Sequence, residues 1–281
     1  MNTLTHSYSA LTNRVLKMIA GSTLALVALA QNALGAAEID PAWSEDPVIA
    51  SEDCADLSYP KAIKFLEKYY YPLLDYSDES KEAGVEMMGT YLIAESLISR
   101  SQICLAEALE LKSLKADLQK RQQILTSGTS MSRKEMKKQR KLSAKANKAI
   151  TRTANKTDEL TPKQRKVFTA GSATFLAGTY ATSRLKDAIA AYAAESGEDI
   201  QKAAEVDRSK GILGLVNKEN VKTVTSLFGK ANTVSTLTSG LKEHIPNLFK
   251  TGKFLVRYAE QQKLDLPPDA TQQLSSVVGW E

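Results

Sequence analysis

The residue types that most often carry chemistry in proteins are scarce in this chain. Only two histidines occur, His6 and His244. Zinc, copper and haem sites are commonly built on histidine clusters, and a Ser–His–Asp or Cys–His arrangement would depend on His244 without a nucleophile motif to support it. No Walker-type phosphate loop is present. We therefore expect a protein that is not an enzyme and that uses no metal and no cofactor.

Carboxylates on a predicted long helix are the remaining candidates for metal chemistry. Glu95, Glu107 and Glu110 lie within a stretch of helical periodicity. Helical bundles hold paired metals when glutamates face a Glu-x-x-His motif on neighbouring helices, and that motif is absent from this chain. We therefore expect these three side chains on solvent-exposed helix faces.

The two cysteines, Cys54 and Cys104, lack the Cys-x-x-Cys spacing typical of redox catalysis. In an oxidising compartment an even pair most simply forms a disulfide, and the alternative is two separate buried thiols. A bridge closing a loop of about 50 residues would stabilise the fold by about 4 kcal/mol in the chain-entropy model. The sequence thus predicts a structural Cys54–Cys104 disulfide.

Charge is distributed unevenly along the chain. Residues 38–111 contain 16 acidic and 5 basic side chains, whereas residues 112–166 contain 17 basic and 4 acidic ones. One interpretation is that the two blocks lie side by side and offset each other, and the other is a basic face for an anionic partner. The candidate surface for such a partner consists of Arg133, Lys134, Lys137, Lys138, Arg140 and Lys141.

The N-terminal residues have the layout of a secretory signal peptide. The first 37 residues contain no acidic side chain, and Arg14 and Lys17 precede an uncharged apolar run over 18–30. Small residues follow that run, as they do before a cleavage site. The run is too short to span a bilayer as a helix. We expect residues 1–36 to be a cleavable signal peptide, with an organelle transit peptide as the alternative. The mature protein is then expected to be periplasmic or secreted.

Export limits the kinds of partner that the basic surface would meet. Nucleic acid would be the usual partner of so cationic a helix, but export disfavours it. A protein with an acidic surface, or an anionic envelope component such as a lipid head group or lipopolysaccharide, fits the predicted compartment. The sequence does not define the oligomeric state.

The elements that position these residues are all predicted to be helices. Periodicity favours one long helix over 81–126. Capping boxes beginning at Ser132 and Thr161 predict further helices over about 133–157 and 162–195. Gly171 and Gly178, seven residues apart in the second of these, would let a neighbouring helix approach closely.

The predicted fold class is all-α, a multi-helix bundle with long antiparallel helices. Its parts are an acidic, poorly ordered N-terminal segment (37–60), a long-helix bundle (61–197) and C-terminal amphipathic helices packing on the bundle (198–281). The leading functional hypothesis is an exported, non-enzymatic protein that binds a macromolecular partner or aids assembly of an envelope or secreted structure. The alternatives are a carrier of a lipid or other apolar ligand and a membrane-active helical protein.

Overall fold

The computed structural model describes residues 42–74, 83–127, 131–210 and 218–276, and the predicted signal peptide lies outside these ranges. All regular secondary structure within them is helical, which confirms the all-α prediction. Three 3-10 helices span Ala42–Glu45, Cys54–Asp56 and Tyr71–Leu73. The α-helices are α1 (Pro47–Ala50), α2 (Tyr59–Tyr69), α3 (Ala83–Ala108), α4 (Lys112–Leu125), α5 (Arg133–Ala154), α6 (Pro162–Lys210), α7 (Lys218–Gln261) and α8 (Pro268–Ser276).

Helix α3 is the centre of the bundle. Every side chain from Met87 to Ala106 is buried, because α3 packs against α4, α5, α6 and α7. A helix enclosed on all sides must bury whatever its sequence places there, including polar residues. The core of the molecule is therefore organised around a helix that carries Glu95, Arg100 and Gln102 in its interior.

Helices α3 and α6 pack closely against each other. A Cβ atom at Gly178 would lie 2.8 Å from Ile98 Cδ1, and one at Gly171 would lie 3.1 Å from Leu105 Cγ. The predicted close approach at these glycines is confirmed. The contacts occur in opposite order along the two helices, so α3 and α6 run in opposite directions.

The predicted single helix over 81–126 is wrong, because the chain reverses between α3 and α4. Glu110 takes a left-handed conformation with φ 58°, and Leu111 N donates to Ala106 O at 2.8 Å. The reversal folds α4 back on α3, where Lys115 Nζ meets Glu107 Oε2 at 2.7 Å. Neither glycine nor proline marks this turn in the sequence.

Both predicted capping boxes begin helices. Ser132 Oγ accepts from Glu135 N at 3.2 Å, at the start of α5. Thr161 Oγ1 accepts from Gln164 N at 3.3 Å, and Thr161 N donates to Gln164 Oε1 at 2.9 Å, at the start of α6. The predicted ends differ more, since α5 stops at Ala154 and α6 continues to Lys210, beyond Gly197 where its end was expected.

Not every pair of long neighbouring helices is antiparallel, because α5 and α7 run in the same direction. Arg140 lies against Gly240, Asn147 Nδ2 donates to Asn247 Oδ1 at 2.8 Å, and Tyr258 OH donates to Thr157 O at 3.2 Å. The residue numbers rise together along both helices. The two helices are therefore parallel, with residues about 100 positions apart lying at the same level.

The disulfide connects the N-terminal segment to the central helix. Cys54 and Cys104 are bonded, fully buried, and have Cα atoms 5.4 Å apart, a separation typical of disulfides. The predicted pairing is confirmed. Within the segment expected to be poorly ordered, the described residues include two 3-10 helices and α1, with Trp43 and Ile49 buried against the bundle.

Candidate functional site

Helix α5 presents a cationic outer face because its inner face is held in the bundle. Its buried positions include Met136, Ala146 and Ile150, which recur at helical spacing. The remaining positions face solvent and are mostly basic. The exposed cations of this helix are Arg133, Lys134, Lys137, Lys138, Lys141, Lys145, Lys148 and Arg152.

Five of the six residues of the predicted surface are therefore exposed together, and the cationic face continues beyond them. From Lys134 to Arg152 it extends for about 27 Å at 1.5 Å per residue. Glu135 is the only acidic residue of α5, and its Oε1 lies 3.8 Å from Lys138 Nζ. The face is thus positive along its whole length. We call these eight cations the α5 basic face.

The acidic and basic blocks meet through α4 rather than through α5. Lys115 pairs with Glu107, and Arg121 pairs with Glu95. Among the described residues, no ion pair within 4.0 Å joins the α5 basic face to an acid of residues 38–111. The part of the chain that the structure describes therefore leaves the charge of α5 directed outward.

Arg140 does not lie on the outer surface on which it was predicted. Its side chain is partly buried, and a Cβ atom at Gly240 would lie 1.9 Å from its Nη1 atom. The guanidinium instead acts electrostatically on Tyr91 and Glu95 in the interior. Only a glycine at position 240 leaves room for this inward direction. The expectation that Arg140 shares an outer surface with its five neighbours does not match its position.

A buried charge cluster centred on Glu95 lies beneath α5. The Glu95 carboxylate is fully buried, which corrects the prediction that it faces solvent. Arg121 of α4 pairs with Oε2, and His244 Nε2 of α7 lies 2.7 Å from Oε1. His244 is itself buried. One carboxylate thus joins three helices.

The surroundings of Glu95 keep it ionised. Burial by itself raises the pKa of a carboxyl group, but His244, Arg121 and Arg140 outweigh burial and lower the pKa of Glu95 to about 2. The neighbouring Tyr91 hydroxyl has its pKa raised by burial and by the Glu95 carboxylate. At neutral pH the cluster therefore contains an ionised carboxylate, paired with the Arg121 guanidinium and in contact with the His244 imidazole.

Hydrogen bonds extend this cluster to α5. Gln102 Nε2 donates to Asn147 Oδ1 at 2.7 Å and to Ser143 O at 3.1 Å. Asn147 in turn donates to Asn247 of α7. A network with this many fixed partners specifies how the helices are placed relative to one another. The cluster therefore holds α5 and α7 in register on α3, which positions the α5 basic face.

A surface groove of about 440 Å³ lies beside the first turns of α6. Its apolar lining includes Leu57, Ala170 and Ala173, and its charged lining includes Lys166, Lys263 and Asp265. Arg165 Nη2 donates to Lys263 O at 2.8 Å across one side. The groove is large enough for a small ligand.

The described residues contain no group of three or more His, Cys, Asp or Glu side chains arranged to hold a metal ion. Within the same residues, no helix combines the length and apolar character needed to cross a membrane. No protein-family model matches this chain, and no curated protein or solved structure matches it.

Proposed function

We propose that this chain is an exported, non-enzymatic helical-bundle protein that binds an anionic macromolecular partner through the α5 basic face. The observation that carries the proposal is the outward direction of that face, which meets no acid of residues 38–111 within the described structure. Charges arranged this way attract an anionic surface before contact, and this attraction weakens as the salt concentration rises.

Two features support export to the periplasm or the cell exterior. Residues 1–36 have the order of a signal peptide, and the Cys54–Cys104 disulfide is consistent with an oxidising compartment. In such a compartment the partner is a protein with an acidic surface or an anionic envelope component. Binding there would serve the assembly of an envelope or secreted structure.

The proposal is tested with purified protein on immobilised polyglutamate over a range of salt concentrations. We expect salt-sensitive binding that weakens by about tenfold or more when Lys134, Lys137, Lys138 and Lys141 are all replaced by Gln. Lysine and glutamine have similar helix propensities, so the helix should remain intact, and circular dichroism checks this.

The matched control removes four exposed lysines elsewhere, namely Lys61, Lys64, Lys68 and Lys163. Because both variants lose the same net charge, a difference between them reports the position of the charge. Equal weakening in the two variants would show a general charge effect and would contradict a site on α5. Absence of binding by the unaltered protein at low salt would also contradict the proposal.

The groove beside α6 supports a second candidate function, a carrier of a small apolar acid. Leu57, Ala170 and Ala173 would contact an apolar chain, and Lys166 would pair with its carboxylate. Organic extraction of purified protein followed by mass spectrometry should recover such a ligand, and Thr169→Phe, which fills the groove, should abolish recovery. A ligand-free extract in repeated preparations would exclude this candidate.

A further inference from the structure

Helix α7 carries exposed cations of its own beside α5. Among the side chains of α7 that the structure describes, the exposed cations are Lys242, Lys250, Lys253 and Arg257. Exposed acids on the same part of the helix are Glu243 and Glu260. Glu243, seven residues before Lys250, lies on the same flank, so the outer side of α7 is positive from Lys250 onward, a feature that the near-neutral charge balance of residues 167–281 conceals in the sequence.

The parallel packing of α5 and α7 brings the two sets of cations to the same level. Because Asn147 bonds to Asn247, Lys148 of α5 lies within about 3 Å of the level of Lys250 of α7 along the helix axes. By the same offset, Arg152 lies at a height between Lys250 and Arg257.

The cations also lie on the same side of the helix pair. At 3.6 residues per turn, Lys141 and Lys148 lie about a quarter turn from the α5 positions that contact α7. Lys250 and Arg257 lie about a quarter turn from the α7 contact positions, in the opposite rotational sense. For parallel helices these two flanks face the same direction, and the residues are all exposed. The result is one outer surface, two helices wide.

The composition of this surface favours a membrane over a protein partner. Protein interfaces are depleted in lysine and depend on buried aromatic, methionine and arginine residues. Among the described side chains, the one large hydrophobic residue that is exposed, Ile124, belongs to α4 rather than to α5 or α7. Lysines on a broad face without apolar anchors suit the diffuse negative field of anionic lipid head groups, where each cation strengthens binding about fivefold.

We propose that α5 and α7 together form a basic face that binds the anionic head-group layer of a lipid membrane without inserting into it. This inference rests on the proposed function, because it names the partner of the α5 basic face. It extends the site to α7, through Lys250 and Arg257. The axes of packed helices are typically about 8–10 Å apart. Two adjacent helices therefore present a broad basic surface rather than a single row of cations.

The test is sedimentation of the purified protein with vesicles. One set consists of phosphatidylcholine alone, and the other of phosphatidylcholine and phosphatidylglycerol in equal parts. We expect binding to the second set alone, lost as salt increases, with vesicle contents retained. Replacing Lys250 and Arg257 by Gln should weaken binding about 25-fold, as should replacing Lys141 and Lys148, whereas a Lys64 and Lys163 control pair should have little effect.

The outcomes separate this inference from the proposed function. Failure to bind anionic vesicles, together with α5-dependent binding to polyglutamate, would overturn the membrane inference and favour an acidic protein partner. Failure to bind either would overturn both. Equal binding by the α7 pair variant and the control pair would show that α7 lies outside the face. Release of vesicle contents would contradict binding without insertion.

Discussion

At the scale of single residues, the bundle depends most on the carboxylate of Glu95. It is fully buried, and its two oxygens contact Arg121 of α4 and His244 of α7. Its partners could not be predicted from sequence, because Arg121 and His244 become neighbours only when α4 and α7 pack on α3. Periodicity did place Glu95 on a long helix, but it could not show that the helix is enclosed on every side.

Removing this carboxylate should strongly destabilise the protein. Glu95→Gln leaves the buried Arg121 without its counter-charge, and breaking a buried ion pair in this way costs about 3–5 kcal/mol. Urea denaturation measures the free energy of unfolding. Glu67→Gln, at an exposed position of α2, is the control and should change that energy by less than about 0.5 kcal/mol. Similar losses in both variants would contradict the role assigned to Glu95.

The lowered pKa of Glu95 also predicts how stability depends on pH. The pKa is about 2 in the folded protein, against an ordinary value of 4.5, so the unfolded chain takes up this proton first as the pH falls. The stabilisation is fully present above about pH 4.5 and is lost progressively as the pH falls toward 2. The free energy of unfolding of Glu95→Gln should decline less over this interval. Parallel curves for the two proteins would contradict the prediction.

At the scale of helices, features set by the local sequence were predicted better than features set by tertiary contacts. The starts of α5 and α6 could be predicted because Ser132 and Thr161 satisfy backbone amides within their own first turns. The break between α3 and α4 could not, since Glu110 adopts its left-handed conformation without a glycine or proline to signal it. The direction of α7 relative to α5 likewise depends on contacts about 100 residues apart in the chain.

The close packing of α3 and α6 predicts a large effect for a single methyl group. Gly178→Ala would place a Cβ atom 2.8 Å from Ile98 Cδ1 and 3.2 Å from Ile98 N, and overpacking of this kind costs about 1–3 kcal/mol. The control is Gly252→Ala, whose nearest neighbours are flexible leucine side-chain ends at 3.1 Å or more. Thermal unfolding should therefore show a larger loss for Gly178→Ala. A larger loss for Gly252→Ala would contradict the account of this interface.

At the scale of the whole molecule, a net charge of +5 conceals an ordered separation of charge. Arg121 and Lys115 of the basic block neutralise acids of the preceding block inside and beside α3. The remaining cations of that block lie mostly outward on α5. The sequence predicted the basic surface because charge is visible without a fold. It could not predict that Arg140 turns inward, because that requires the space above Gly240.

If the protein is exported, two properties of its mature form follow, namely its first residue and the oxidation state of its cysteines. Protein recovered from the cell envelope or the medium should begin near residue 37 and should contain no free thiol, because Cys54 and Cys104 are bonded. Mass spectrometry of intact protein, with and without reduction and thiol labelling, measures both properties. Retention of residues 1–36 in the recovered protein, or labelling without reduction, would contradict the proposed compartment.

The central claim, that α5 is the binding face, is tested most directly in the living cell. A photo-reactive residue replaces Lys141 in one version of the protein and Lys64 of α2 in another, both positions being exposed. We predict crosslinks to an anionic partner from position 141 and few from position 64, with the former lost when Lys134, Lys137 and Lys138 are replaced by Gln. Equal crosslinking from the two positions, or crosslinking from position 141 that survives these replacements, would contradict the claim.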